Sequence, residues 1–201
     1  MNRLEALEHF HKIYAEEVLR QKIHHVASLY EQRKEELIFS FIQSFQWICQ
    51  QANHMEESKA RIGYITYSMR RTYLVDRNYN YIIEAYDKSW FFDPGPCQGV
   101  YDAGWAFSFW GELVDELSQL RKPYMNKVIQ PDVERFALQA AEEFHQYILQ
   151  LAKDAIGQAV QTPEFKVLSC EDDLEVRIGE YKGISKVVYS AADGILHDST
   201  G

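Results

Sequence analysis

"SWFFDPGPCQGVYDAGWAFSFW", residues 89 to 110, decides how the rest of the chain is read. Trp90, Phe91 and Phe92 close an extended stretch, and Asp93 to Pro96 stop it, because proline lacks the donor that a strand ladder needs. Asp93 to Gly99 then turn the chain. Tyr101, Trp105, Phe109 and Trp110 open a helix that folds back over those rings. Burying each large ring contributes on the order of 2 kcal/mol, so the segment is expected to plug a core. Rings in surplus of that core would form a patch for a partner, and Trp90, Tyr101 and Trp110 are the candidates.

Upstream of this corner, "YNYIIEAYDKSWFF" (79 to 92) alternates as a strand, with Tyr79, Tyr81, Ile83 and Ala85 on the buried face. The preceding "IGYITYSMRRTYLVD" (62 to 76) is ambiguous. Its β-branched and aromatic residues favour a strand, while Ile65, Met69 and Tyr73 have helical spacing. The first sixty residues are helical by periodicity, with Leu4, Leu7, Phe10, Tyr14, Val18 and Ile23 followed by Leu29, Leu37, Phe41, Phe45 and Ile48. No Gly or Pro precedes Gly63, so this is one long helix or two joined near Gln21 to His25, with "HMEESKAR" as the polar exit.

Downstream, Trp105, Phe109, Leu113 and Leu117 lie along one i, i+4 row of a helix with acidic residues opposite. Asp132, after Pro131, reads as the N-cap of a further helix through about Ala159, with Phe136, Ala140, Phe144, Tyr147 and Leu151 as its buried stripe. The last fifty residues change to short alternations, Phe165 and Val167, then Leu174, Val176 and Ile178, which read as two or three strands. The expected fold is therefore α+β and mainly helical: long N-terminal helices and two central helices packed with a small antiparallel sheet. Residues 1 to 189 are expected to form a single globular domain, and 190 to 201 a flexible C-terminal tail.

Composition bounds the function. The chain has 201 residues, 46% hydrophobic, 25% charged and 14% aromatic, with a formal net charge of −9. It is long enough to bury a core without metal or disulfide staples. An acidic protein is a poor match for nucleic acid, whose binding rests on Lys and Arg. The one basic island, around Arg61, Arg70, Arg71 and Arg77, reads as solvated charge beside acidic neighbours. Cys49, Cys97 and Cys170 are far apart and odd in number, which is neither a disulfide framework nor a zinc site. No stretch approaches eighteen apolar residues, and "MNRLEALEHFHKIY" lacks the apolar core of a signal peptide, so a cytoplasmic, unanchored protein is expected.

Two patterns carry candidate chemistry. ExxH occurs at Glu8 with His11 and at Glu142 with His145, and at i, i+3 both side chains of each pair project from one helix face, as in di-iron four-helix bundles. Glu36 and Glu112 or Glu116 would supply the further carboxylates. The bland reading is that these are solvated residues of amphipathic helices. Cys97, in a Pro/Gly-rich stretch beside Asp93 and Asp102, is a candidate nucleophile, but no histidine lies between His54 and His145 to serve as its base. GxSxG, Walker A, GxGxxG and HExxH are all absent from the sequence.

The series "RIGYITYSMRRTYL", "YNYIIEAYDKSWFFD", "YDAGWAFSFWGEL" and "RIGEYKGISKVVY" resembles the helical N-terminal region that precedes pentapeptide repeats in some uncharacterised proteins of Gram-positive bacteria. The likeness spans roughly residues 1 to 189 and rests on aromatic landmarks. Tandem five-residue repeats with a central Leu or Phe do not occur here, so duplex mimicry by such repeats has no physical basis in this chain. What the resemblance implies is a bacterial, cytoplasmic accessory or adaptor region. The function expected is non-enzymatic binding of another protein or an attached domain, of which an immunity-type inhibitor of a toxin is a specific form, with no cofactor and no nucleic-acid or membrane partner. A small helical metalloprotein using Glu8, His11, Glu142 and His145 is the alternative.

Overall fold

The computed structural model describes residues 1 to 55 and 61 to 195. The fold is α+β and mainly helical. Most of the "HMEESKAR" exit, 56 to 60, and residues 196 to 201 of the expected tail lie outside the described residues. The chain divides into two compact units, one made of Met1–Gln32 and Gly104–Tyr147, the other of Arg33–Ala103 and the residues from Ile148 onward.

The first unit is helical. Helix α1 (Arg3–Phe10) is opened by a capping box: Asn2 accepts from the Glu5 backbone at 3.0 Å, and Glu5 accepts from the Asn2 backbone at 2.8 Å. A π-helical turn, His11–Ala15, carries the chain into α2 (Glu16–His54) with no break near Gln21 to His25. The backbone instead leaves helical geometry at Arg33 (φ −117°, ψ 17°), where the second unit begins. Helix α4 is Gly104–Leu120. In α5 (Gln130–Ala159), Asp132 lies in the first turn, and its carboxylate accepts from the Ile129 N–H at 3.0 Å. It thus reaches back to the N-cap position instead of occupying it.

Helix α4 buries a broader band than the expected row. Leu113 and Leu117 are in the core as expected, but Trp105 and Phe109 are half-buried, while Ala106, Phe107, Trp110 and Val114 face inward. Phe107 meets Phe144 of α5 at 6.1 Å between ring centres, and Trp110 Nε1 donates to the Ala137 carbonyl at 2.7 Å. That bond satisfies the Trp110 N–H, since a buried indole N–H needs an acceptor.

The second unit holds a six-stranded sheet in the order β3-β2-β1-β4-β5-β6, with α3 (Arg71–Val75) after β1 and α6 (Pro163–Lys166) before β4. The strands are β1 (Ile62–Met69), β2 (Asn80–Asp87), β3 (Cys97–Asp102), β4 (Cys170–Glu180), β5 (Ser185–Ser190) and β6 (Gly194–Ile195). The ambiguous stretch 62 to 76 is thus both, a strand and then a short helix. The sheet is mixed, because β1 pairs with β4 in parallel while its other pairs are antiparallel. A parallel neighbour needs a long crossover, and about a hundred residues lie between these two strands.

Two expectations about the corner are corrected. Strand β2 ends at Asp87, and Trp90–Phe92 form a 3-10 turn, with Trp90 in the left-handed region (φ 54°). The Asp93 carboxylate closes this turn by accepting from the Asp87 and Gly95 N–H groups, each at 2.9 Å. Cys97 to Asp102 do not turn into a helix; they form β3 and pair with β2. The prolines at 94 and 96 lie after that turn, in the connection to β3, which itself contains no proline.

The inner face of the sheet carries Ile65, Tyr67, Ile83, Ala85, Val176 and Ile178, all fully buried. The Phe41 ring of α2 stacks on Tyr67 at 4.7 Å and meets Tyr101 edge-on at 5.8 Å. The outer face alternates with it and carries polar groups: Thr66, Ser68, Glu84, Gln98 and Arg177. Register places Gln98, Glu84, Thr66 and Arg177 in one row across four strands.

Candidate partner-binding edge and cleft

Strand β3 ends the sheet, so one of its sides has no neighbouring strand among the described residues. The Ala103 N–H donates to the Tyr79 carbonyl at 3.1 Å, which sets the phase of the β2–β3 ladder. Antiparallel alternation then turns the backbone groups of Cys97, Gly99 and Tyr101 toward β2 and those of Gln98 and Val100 outward. Val100 is 64% exposed, and no proline, lysine or bulge within β3 blunts this edge.

The edge is flanked on both faces. On the inner side the Trp47 ring of α2 lies against Gly99, where an added Cβ would stand 2.3 Å from its Cζ3 atom. Only glycine permits that approach, and the ring remains 43% exposed. On the outer side a cleft of about 360 Å³ runs past Arg70, Tyr73, Asn80, Ile82, Gln98 and Val100. A neighbouring cleft of about 350 Å³ shares Arg70 and is lined by Arg71, Glu180 and Tyr181.

Beneath the outer face sits a buried carboxylate. Glu84 is 1% exposed; Tyr86 Oη donates to it at 2.5 Å and Gln98 Nε2 at 2.8 Å. Burial, reinforced by that carboxylate, pushes the Tyr86 phenol far above its ordinary value, so it stays a donor. Thr66, next in the row, is buried with no partner for its hydroxyl, and the same holds for Trp90 Nε1 and Arg70 Nε. The Trp90 ring stacks on Tyr64 at 4.2 Å, with the Arg177 guanidinium 5.0 Å from its centre. Phe91 packs edge-on to Tyr86 at 5.8 Å, and Phe92 is 90% exposed.

The residues expected to bind a partner separate. Tyr101 is 2% exposed and Trp110 3%, so both are core rings. Helical phase alone placed Trp110 off the row, and its bond to Ala137 draws it inward. Trp90 is half-buried at the outer face of the sheet. Cys97 lies buried on the inner face opposite Ala85, which removes it as an accessible nucleophile. Burial also raises the Cys49 thiol strongly and Cys170 to about 11, so neither is activated.

The ExxH residues do not converge. Glu8 is exposed on α1, and the half-buried His11 ring stands 5.3 Å from Phe136. Glu142 is exposed and accepts from Gln146, while His145 is buried. Glu36 pairs with Arg33, and Glu112 and Glu116 both pair with Lys22. Among the described residues no group of three or more His, Cys, Asp or Glu side chains is placed to hold a metal ion.

Family models, curated proteins and solved structures give no match. Among the described residues no helix is long and apolar enough to cross a membrane. The features sequence reasoning missed are Trp47 and the β3 edge. Trp47 was legible as a tryptophan standing off the Phe41, Phe45, Ile48 stripe; β3 was hidden by the prolines just before it.

Proposed function

We propose that the protein is a non-enzymatic interaction module that takes an extended segment of a partner protein onto the free edge of β3. The observation that carries this reading is the outward backbone of Gln98 and Val100, set between the half-exposed Trp47 ring and the outer cleft. Strand addition obtains affinity from main-chain hydrogen bonds and selectivity from pockets for alternate side chains. Both are available here. An exposed edge is a liability that proteins usually blunt, and this one pairs bare backbone with an aromatic anchor instead. An adaptor or an immunity-type inhibitor would use the edge in the same way, by engaging a strand of its target.

Selection of twelve-residue peptides from a random display library tests this. Enriched peptides are expected to share an alternating, β-branched pattern and to shift the Gln98 and Val100 amide resonances and the Trp47 fluorescence. Enriched peptides that leave those signals unchanged and perturb the helical unit would overturn it.

A further inference from the structure

We infer that the cleft beside β3 is a carboxylate pocket, and that the partner segment carries a carboxylate which Arg70 receives. The inference takes the ligand to be a peptide from the strand-addition reading and adds its chemistry.

Arg70 stands at the head of α3 with its guanidinium carbon 3.7 Å over the Tyr181 ring and 5.4 Å from the centre of Tyr73. Ring stacking engages the flat faces of a guanidinium and leaves its N–H edge available. Arg70 has no hydrogen bond to any acceptor and no ion pair among the described residues, and its Nε is buried without a partner. The carboxylates nearby are committed: Glu180 pairs with Arg71, and the Glu84 oxygens are taken by Tyr86 and Gln98. Arg70 is half-buried, and its Nε donor, buried without an acceptor, is costly to leave unsatisfied.

The other walls define that acceptor. Tyr73, Asn78, Asn80 and Gln98 are neutral polar residues beside a single cation, whereas Ile82 and Val100 give an apolar side. One planar fork with neutral polar neighbours suits a singly charged, planar carboxylate better than a phosphate, which draws several cations or a run of backbone N–H groups. The cleft also runs along the side of β3 from which an added strand projects alternate side chains.

The test titrates three short peptides and inorganic phosphate into isotope-labelled protein. The peptides are acetyl-Thr-Val-Thr-Val with a free C-terminus, the same peptide amidated, and amidated acetyl-Thr-Val-Glu-Val. At least one carboxylate-bearing peptide is expected to bind tenfold or more tighter than the amidated neutral one. If the free acid gains, the natural ligand is a chain terminus; if the Glu peptide gains, it is an acidic side chain. Arg70→Gln should reduce that preference to below twofold, and Arg70→Lys, which keeps charge but loses the fork, should retain less than a fifth of the affinity. Asn80→Asp, which places a carboxylate in the cleft while leaving Arg70 intact, should also abolish the preference. Amide spectra and melting curves establish that each variant is folded.

Equal binding of acid and amide, or an unchanged preference in Arg70→Gln, overturns the inference while leaving strand addition standing if Gln98 and Val100 still shift. A carboxylate preference that depends on Arg70 but leaves those two amides unmoved supports the pocket and removes the edge. Phosphate binding more tightly than every carboxylate overturns the choice of ligand.

Discussion

Trp110 and Trp90 show how differently the two units treat the same side chain. In the helical unit Trp110 is buried with its N–H bonded to the Ala137 carbonyl, and ion pairs join the helices: Lys22 with Glu112 and Glu116 at 3.1 Å each, Arg3 with Asp132 at 3.0 Å. In the sheet-bearing unit Trp90 stands at positive φ with its buried N–H unanswered, and Thr66 Oγ1, Arg70 Nε and Asn53 Oδ1 share that state. Positive φ occurs in both units, at Met125 in the helical one, so the contrast rests on the unanswered polar atoms, each of which costs stability. Among the described residues, the buried side-chain atoms left without a partner all belong to the sheet-bearing unit.

The largest effect that could break this contrast is the loss of Trp110. Trp110→Ala is expected to cost about 3 to 5 kcal/mol in denaturant melts, as removal of a buried large ring does, whereas Trp47→Ala should cost under about 1 kcal/mol. Similar losses for the two would erase the distinction between core ring and surface anchor.

Glu84→Met comes next. It leaves the Tyr86 hydroxyl and the Gln98 amide without their acceptor and should cost about 1 to 3 kcal/mol. Thr66→Val, in the same row, should do the opposite and stabilise by about 1 kcal/mol, because it deletes a buried hydroxyl that has no partner. A loss on Thr66→Val would show the hydroxyl to be satisfied and weaken the account of the outer face.

The smallest effect belongs to the helical unit. Burial alone would lower the Lys22 ammonium, but Glu116 and Glu112 outweigh it and raise the group above the ordinary value of 10.5. A raised cationic group stabilises fully below its ordinary pKa and loses that contribution as pH climbs through the raised one. Since both glutamates are well exposed, the contribution is about 0.5 kcal/mol. The gap between wild type and Lys22→Met in thermal melts should therefore hold at pH 7 to 9 and narrow above 10.5.

Much of the fold was legible because burial imposes a period. Phe10, Val18, Leu37, Phe41, Phe45 and Ile48 of the N-terminal stripe and Tyr81, Ile83 and Ala85 of the strand lie in the core, whereas Leu4 is exposed and Leu7, Tyr14, Ile23, Leu29 and Tyr79 are half-buried. What spacing could not convey was polar satisfaction. The Trp110 N–H seeks a carbonyl on another helix, and Asp132 reaches back to Ile129, and neither leaves a mark in local periodicity. Strand β3 was missed because Pro94 and Pro96 read as a longer interruption than they are. The parallel β1–β4 pairing joins segments too distant for any local signal. The candidate site was not legible as such: Trp90, Tyr101 and Trp110 lie outside the cleft beside β3, while Trp47 and Arg70 acquire meaning from Gly99 and Tyr181, which the fold alone brings to them.

Val100→Pro addresses the edge of β3 most directly. Its N–H points outward, so proline there removes a donor that the β2–β3 ladder does not use, and an edge position tolerates it. Binding of a library-selected peptide to this variant, followed by titration calorimetry, should fall at least tenfold while the amide spectrum and melting temperature stay near those of the parent. Undiminished affinity in a folded Val100→Pro protein would contradict strand addition at β3.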